Sequence, residues 1–201
     1  MPLSDPKSAI KDKYLCIDFL NTEYASKQGP VERLQTAQQV ADWLIERGVF
    51  TDPADLAALR KWASEVPEQV VAQFQALRAD LRPLFAALHA QQPLPPAELA
   101  RLQALLRSGS RSGQLVLTDD GHWQLQSRLE LRESAHLAVP LAESFAELAV
   151  AAEAGRVKAC SNPHCTVFFF DTTKNQSRAW CATCGTQAKA LRYYHKQKAK
   201  A

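Results

Sequence analysis

Four cysteines near the C-terminal end, Cys160, Cys165, Cys181 and Cys184, constrain this chain more than any other feature. They form a C-x4-C pair, a gap of 15 residues and a C-x2-C pair. Two close pairs at this separation each supply two thiolates from one tight turn, which is what a tetrahedral zinc ion requires. The stretch from Cys160 to Cys184 is too short to bury a core of its own, so folding it and binding Zn2+ become one event. Four thiolates also close the coordination shell and leave no position for water, so the site reads as structural and not catalytic. His164 could replace Cys165 in a Cys3His set, but the C-x4-C spacing suffices without it. A redox reading of Cys181-x-x-Cys184 finds no βαβ pattern around it.

The residues around the cysteines suggest how such a finger is built. Asn162 and Pro163 favour the tight turn of a zinc knuckle. Val167 to Phe170 is β-branched and aromatic and should pack over the metal as a strand. Cys181-Ala-Thr-Cys184 leads straight into a helical stretch, Gly185 to Lys200, whose N-terminus favours the negative thiolate cluster. Knuckle, short hairpin and helix in this order is a treble-clef arrangement. Lys189, Arg192, Lys196 and Lys200 recur along one face of that helix, with Tyr193 beside them and with Ala188, Leu191 and His195 on another face. Lys174, Asn175 and Arg178 lie in the loop between the pairs.

Charge is distributed unevenly. The chain of 201 residues has a formal net charge of +3. Met1 to Gly155 holds 15 basic against 20 acidic residues, while Arg156 to Ala201 holds nine basic residues and the single acid Asp171. A basic metal-stabilised module on an acidic body points to a polyanionic partner for the module alone, with phosphate contacts from Lys174, Arg178, Lys189, Arg192, Lys196 and Lys200. The bland alternative is a solvated terminal helix.

The body reads as mainly α with a small β-hairpin. Thr36 and Gln39 form a capping box ahead of Val40, Trp43 and Leu44, with a stop near Gly48. Asp52-Pro53 opens a second helix facing Leu56 and Leu59 inward, and Pro67 opens a longer one through Leu88 with a kink expected at Pro83. Pro93 to Pro96 is a turn, followed by Leu99, Leu102, Leu105 and Leu106 at helical spacing. Ser108 to Gly113 reads as a loop, and Leu115–Thr118 and Trp123–Gln126 flank the hairpin signal Asp119-Asp120-Gly121. A last helix, interrupted at Pro140, runs through Phe145 and Leu148 to a stop at Gly155. Cys16, in the apolar stretch Tyr14 to Leu20, reads as a core residue. His89, His122 and His136 show no spacing that makes a metal or catalytic constellation.

No apolar run approaches the roughly 20 residues of a membrane span. Met1 to Lys13 is charged and has no apolar segment of the kind a signal peptide carries. A cytoplasmic, reducing setting is therefore expected, where paired cysteines bind metal more often than they form disulfides. No nucleophile–base pair or open metal site stands out, so no enzyme is expected.

At these residues the chain resembles the bacterial CGNR zinc-finger family with its N-terminal ABATE domain. The resemblance is carried by Cys160-x4-Cys165, Phe170-Asp171-x-x-Lys174-Asn175, Ser177-Arg178-x-Trp180-Cys181, Cys184-Gly185 and Ala188-Lys189. At the front it is carried by Leu15-Cys-Ile-Asp18-Phe19-Leu-Asn21-Thr22 and by the helix from Gln39 to Gly48. Two departures stand out. Cys184-Gly185-Thr186-Gln187 replaces Cys-Gly-Asn-Arg, and the second pair is C-x2-C instead of C-x4-C. Losing the Asn and Arg removes an amide, a charge and a bidentate donor that could read nucleic acid at Thr186 and Gln187.

The resemblance implies a stress-induced transcription regulator that binds nucleic acid, most simply DNA. It splits the chain into an ABATE-like body over 1–155 and a finger over 156–201. It also implies that the body is a regulatory or sensing domain that binds a small-molecule effector; a homodimer formed through the body is a further expectation, not one the resemblance carries. Asp18, Asn21 and Thr22 are the polar residues expected at an effector site, against the simpler reading that Asn21 and Thr22 cap a turn or helix. The competing functional reading is a protein-interaction finger without nucleic acid.

Overall fold

Local signals written in the sequence set most of the helices. The computed structural model describes residues 14–26, 29–151 and 154–198. The apolar run at the front folds as a short helix, Leu15–Leu20 (α1), with Cys16, Ile17, Phe19 and Leu20 buried. A hairpin follows, Glu23–Ser26 (β1) antiparallel to Glu32–Gly29 of the strand Gly29–Glu32 (β2). Its four-residue, half-exposed strands are too short to show alternation in the sequence, which is why only the structure reveals it.

Ala37–Glu46 (α2) starts at Thr36, whose hydroxyl accepts from the Gln39 N–H while Gln39 accepts from the Thr36 N–H, so the capping box is formed as read. Gly48 then takes φ +65, the left-handed stop that glycine permits. Pro53–Glu65 (α3) is capped by Asp52, which accepts from the Ala54 N–H at 2.8 Å. Pro67–Ala90 (α4) continues through Pro83 as one helix. Pro96–Ser108 (α5) follows the proline turn.

The next hairpin is longer than its turn signal implies. Arg111–Leu117 (β3) pairs with Trp123–Leu129 (β4) along the full length of both strands, absorbing residues expected to be loop. A 3-10 turn, Ser134–Ala138, leads into Val139–Val150 (α6). Pro140 lies in the first turn of α6, where its missing N–H leaves no bond unmade, so it does not interrupt the helix. The helix ends at Val150, short of the stop expected at Gly155, which instead belongs to a second 3-10 turn, Ala154–Arg156. Val157–Ala159 (β5) and Phe168–Phe170 (β6) pair antiparallel, and Ala182–Lys198 (α7) closes the described chain. Among the described residues the fold is mainly α, with the body hairpin and the finger hairpin as expected and β1–β2 as a third small antiparallel pair.

The chain divides into two compact units. One is made of Leu34–Asp80 and Pro96–Glu143, with Val40, Leu44, Leu59, Phe74, Leu102, Leu137 and Leu141 buried within it. The other is made of Met1–Arg33, Leu81–Pro95 and Ser144–Ala201. The cysteine-bearing residues thus share a unit with α1 and do not stand alone after Gly155. Within that unit Phe85 meets Phe145 and Phe168 at centroid distances of 5.4 and 5.8 Å, and Tyr14 meets Phe170 edge-on at 5.3 Å. No helix among the described residues is long and apolar enough to cross a membrane.

Candidate metal centre

The knuckle forms the turn of the β5–β6 hairpin. The Cys160 N–H donates to the Val167 carbonyl at 3.0 Å, and the Cys165 N–H donates to the Asn162 carbonyl at 2.9 Å, which pulls both sulfurs to one side. Asn162 stabilises the turn a second time, since its side-chain oxygen accepts from the His164 N–H at 3.1 Å. The second pair arrives on the first turn of α7. There the Cys184 N–H donates to Cys181 Sγ at 3.4 Å, and the Cys181 N–H donates to Cys160 Sγ at 3.4 Å. Asn162 Nδ2 donates to Cys184 Sγ at 3.3 Å. Three N–H groups directed at sulfur favour thiolate, as expected at a helix N-terminus.

All four Sγ atoms lie within 4.8 Å of one another, and those of Cys165 and Cys181 are 3.9 Å apart. Thiolates at ~2.3 Å from one zinc ion would sit ~3.8 Å from each other in a tetrahedron, so the sulfurs are gathered close to the spacing the ion needs. His164 is exposed and stays outside the cluster. Cys160, Cys181 and Cys184 are buried together with Phe169, with Cys165 and Val167 packed against them, giving the sulfurs an apolar shell.

That burial explains why the site needs a cation. The hydrogen bond from Cys165 and the Cys184 N–H hold the Cys181 thiol down to about 5. Cys165 is driven upward by sharing its proton with Cys181 and by burial, and burial likewise raises Cys184. Cys165 and Cys184 thus resist ionisation beside the Cys181 thiolate. A divalent cation removes the conflict, and zinc is the cofactor this set of sulfurs holds.

Asp171, the finger's one acid and part of the Phe170-Asp171-x-x-Lys174-Asn175 motif, organises the loop between the pairs. It is fully buried. Its carboxylate accepts from the Thr173 N–H at 2.9 Å, the Thr173 hydroxyl at 2.6 Å and the Arg178 N–H at 3.0 Å, and pairs with Lys158 Nζ at 3.0 Å. Burial alone would raise its pKa, but these partners outweigh it and hold the group at about 2. Arg156 completes the frame by donating to the Asp171 and Thr173 carbonyls at 3.0 and 2.9 Å.

Of the residues expected to meet phosphate, Lys174 and Lys189 are exposed. Arg178 is half-buried: its guanidinium lies 4.3 Å from the Phe169 ring centroid and its Nε donates to the Trp180 carbonyl at 3.0 Å. α7 carries the positions of Arg192 and Lys196, whose side chains lie outside the described residues, as does Lys200. The Thr186 hydroxyl donates to the Ala182 carbonyl one turn earlier at 3.0 Å, and Gln187 is exposed.

The three residues expected at an effector site fall on α1 and its exit. Asp18 is half-buried on the helix. Asn21 instead clamps the finger: its Nδ2 donates to the Phe168 carbonyl at 2.7 Å and its Oδ1 accepts from the Phe168 N–H at 3.1 Å. Thr22 is buried and its hydroxyl donates to the Phe19 carbonyl at 2.7 Å, a local capping role. Arg82 on α4 and the Ala25 N–H add contacts to Thr166, two residues before β6.

Comparison with known proteins agrees with this construction. Residues 13–152 match the ABATE family, described as "Putative stress-induced transcription regulator", and residues 156–197 match the CGNR zinc finger. No curated protein matches the chain. With one match spanning more than half of its length and the other covering the four-cysteine hairpin and helix, the chain belongs to the ABATE family and ends in a CGNR zinc finger.

Proposed function

We propose that this zinc-binding regulator contacts DNA through its finger, with the metal fixing the frame and α7 presenting cations to the phosphate backbone. The observation that carries this reading is how charge is sorted within the finger. Its one acid, Asp171, is buried and paired with Lys158, whereas Lys174, Lys189 and Lys198 are exposed. The outward field is therefore cationic, as a polyanion requires. Lys189, Arg192 and Lys196 repeat along one face of α7 and would track a run of phosphates. Arg178, held against Phe169, is a fixed donor and not a free arm. With Thr186 bonded back into its own helix and no Arg at Gln187, the contacts available position the protein on the backbone more than they read bases.

Effector sensing by the body and a cytoplasmic setting complete the proposal, beside a family description that names neither. That description is regulatory, not enzymatic.

The test is a binding titration of the zinc-loaded chain on random-sequence duplex DNA across a salt series. Four or five neutralised phosphates give a log–log slope of about −4. Lys189→Gln and Lys174→Gln should each flatten that slope by about 1 without changing zinc content. Salt-independent binding, or no binding to duplex or single strand, defeats the reading. If charge reversal at Lys189, Arg192 and Lys196 leaves recognition of a protein partner intact while DNA never binds, the finger is a protein-interaction module.

A further inference from the structure

The β3–β4 hairpin is an arm with an apolar face that nothing within the described chain covers. Its base is fastened by Leu129, which is buried, by Arg111 to Glu143 and by Arg128 to Asp52 and Asp55. Beyond that base both faces are open to solvent. A lone two-stranded sheet is at best marginally stable in water, so an arm of this kind calls for a surface to lie against.

The two faces differ in chemistry. Pairing sets Leu115 opposite Leu125 and Leu117 opposite Trp123 on one face, with Gly113 opposite Ser127 behind them. The other face carries Ser112, Gln114, Val116, Gln124, Gln126 and Arg128. On the first, Leu115, Leu117, Trp123 and Leu125 are 66, 54, 71 and 70% exposed. Single exposed leucines need no explanation, but four large apolar side chains in two adjacent cross-strand pairs form a contiguous patch.

We infer that this face is a homodimer interface, in which the arms of two copies lie face to face about a two-fold axis. Area argues for a second copy. The four side chains offer about 500 Å2, and two such faces together reach the ~1,000 Å2 total of a specific interface. The patch is also its own complement. It has no charge to leave unpaired, and a two-fold sets the leucine pair of one copy against the tryptophan pair of the other, the isologous contact of a closed dimer. The tip fixes the orientation. Asp119 and Asp120 cap the arm, so arms running in the same direction would bring two acidic tips together. Arms running in opposite directions keep the tips apart.

Sedimentation equilibrium of the full, zinc-loaded chain tests this over protein concentrations up to ~100 µM, a range that covers a moderate dimer. The wild type should reach twice the monomer mass and stop there. Leu115→Gln with Leu125→Gln, and separately Trp123→Gln, should raise the dimer dissociation constant by at least about tenfold. Gln114→Ser with Gln124→Ser, on the opposite face, should leave it unchanged. All these positions are exposed, and unchanged far-UV circular dichroism and zinc content would show that the variants fold. Should a face variant misfold, a benzoylphenylalanine in place of Trp123 supplies the reading: irradiation must give a covalent product of twice the chain mass. A wild type that stays monomeric, face variants that dimerise like the wild type, or open-ended growth without a dimer plateau would each overturn the inference. So would a patch engaged only by a different protein.

Discussion

Two polar residues do more for this structure than their positions in the sequence announce. Asn21 answers both backbone groups of Phe168, so Asn21→Ala strands a buried N–H and C=O. It should destabilise the unit by about 2–3 kcal/mol, read as a loss in thermal or denaturant unfolding with zinc still bound. Asn21→Asp leaves the acceptor but removes the donor and should fall between the two. Asp171 is held at about 2, below the ordinary 3.8 of such a carboxyl. Its charged form is therefore favoured by folding. The contribution is complete well above pH 4, and it is lost as pH falls from there toward 2. Because the loop around it borders solvent, we expect Asp171→Asn to cost about 1–2 kcal/mol at neutral pH, a gap from wild type that narrows in acid denaturation near pH 3. Neither role was legible beforehand. A lone Asn and a lone Asp acquire meaning only from what the fold brings to them, in one case across 147 residues of chain.

At the scale of elements the sequence was readable wherever a signal is local. The capping box at Thr36, the Asp52-Pro53 start, the Gly48 stop and the cysteine spacing each depend on a handful of neighbours, and each appears as read. Elements set by tertiary pairing were not. β1 and β2 lack alternation, and β3 and β4 extend past their turn because a ladder costs little to prolong once its register is fixed. β6 is the instructive case. The sequence predicts that Val167 to Phe170 packs over the metal, and Phe169 does lie among the sulfurs. Its neighbours face the other way, toward Phe85 and Tyr14, because successive residues of a strand point to opposite sides. Phe169→Ala should then weaken zinc retention in a chelator competition. Phe168→Ala should lower unfolding stability by about 3–5 kcal/mol and leave the affinity for zinc the less changed of the two.

Across the whole molecule, charge and resemblance divide the chain near Gly155, whereas the contacts interleave it. Segments before residue 34 and after residue 143 belong to one unit, and no reading that moves along the chain in order can see that. Chelation should accordingly unfold the chain in part. Hydrogen exchange should accelerate through the residues from Val157 to Cys184 and in α1, while amides of α2, α3 and α5 keep their protection. Uniform loss, or none, would show that the ion does not organise the finger as described. The same arrangement bears on how this protein can be handled and how it can evolve. A fragment cut out at Gly155 would take its cysteines with it but leave two benzyl rings bare and two peptide groups without their amide escort. It should precipitate even when fully metallated. A lineage that shuffled this finger onto a new body would have to bring along a substitute for α1 as well.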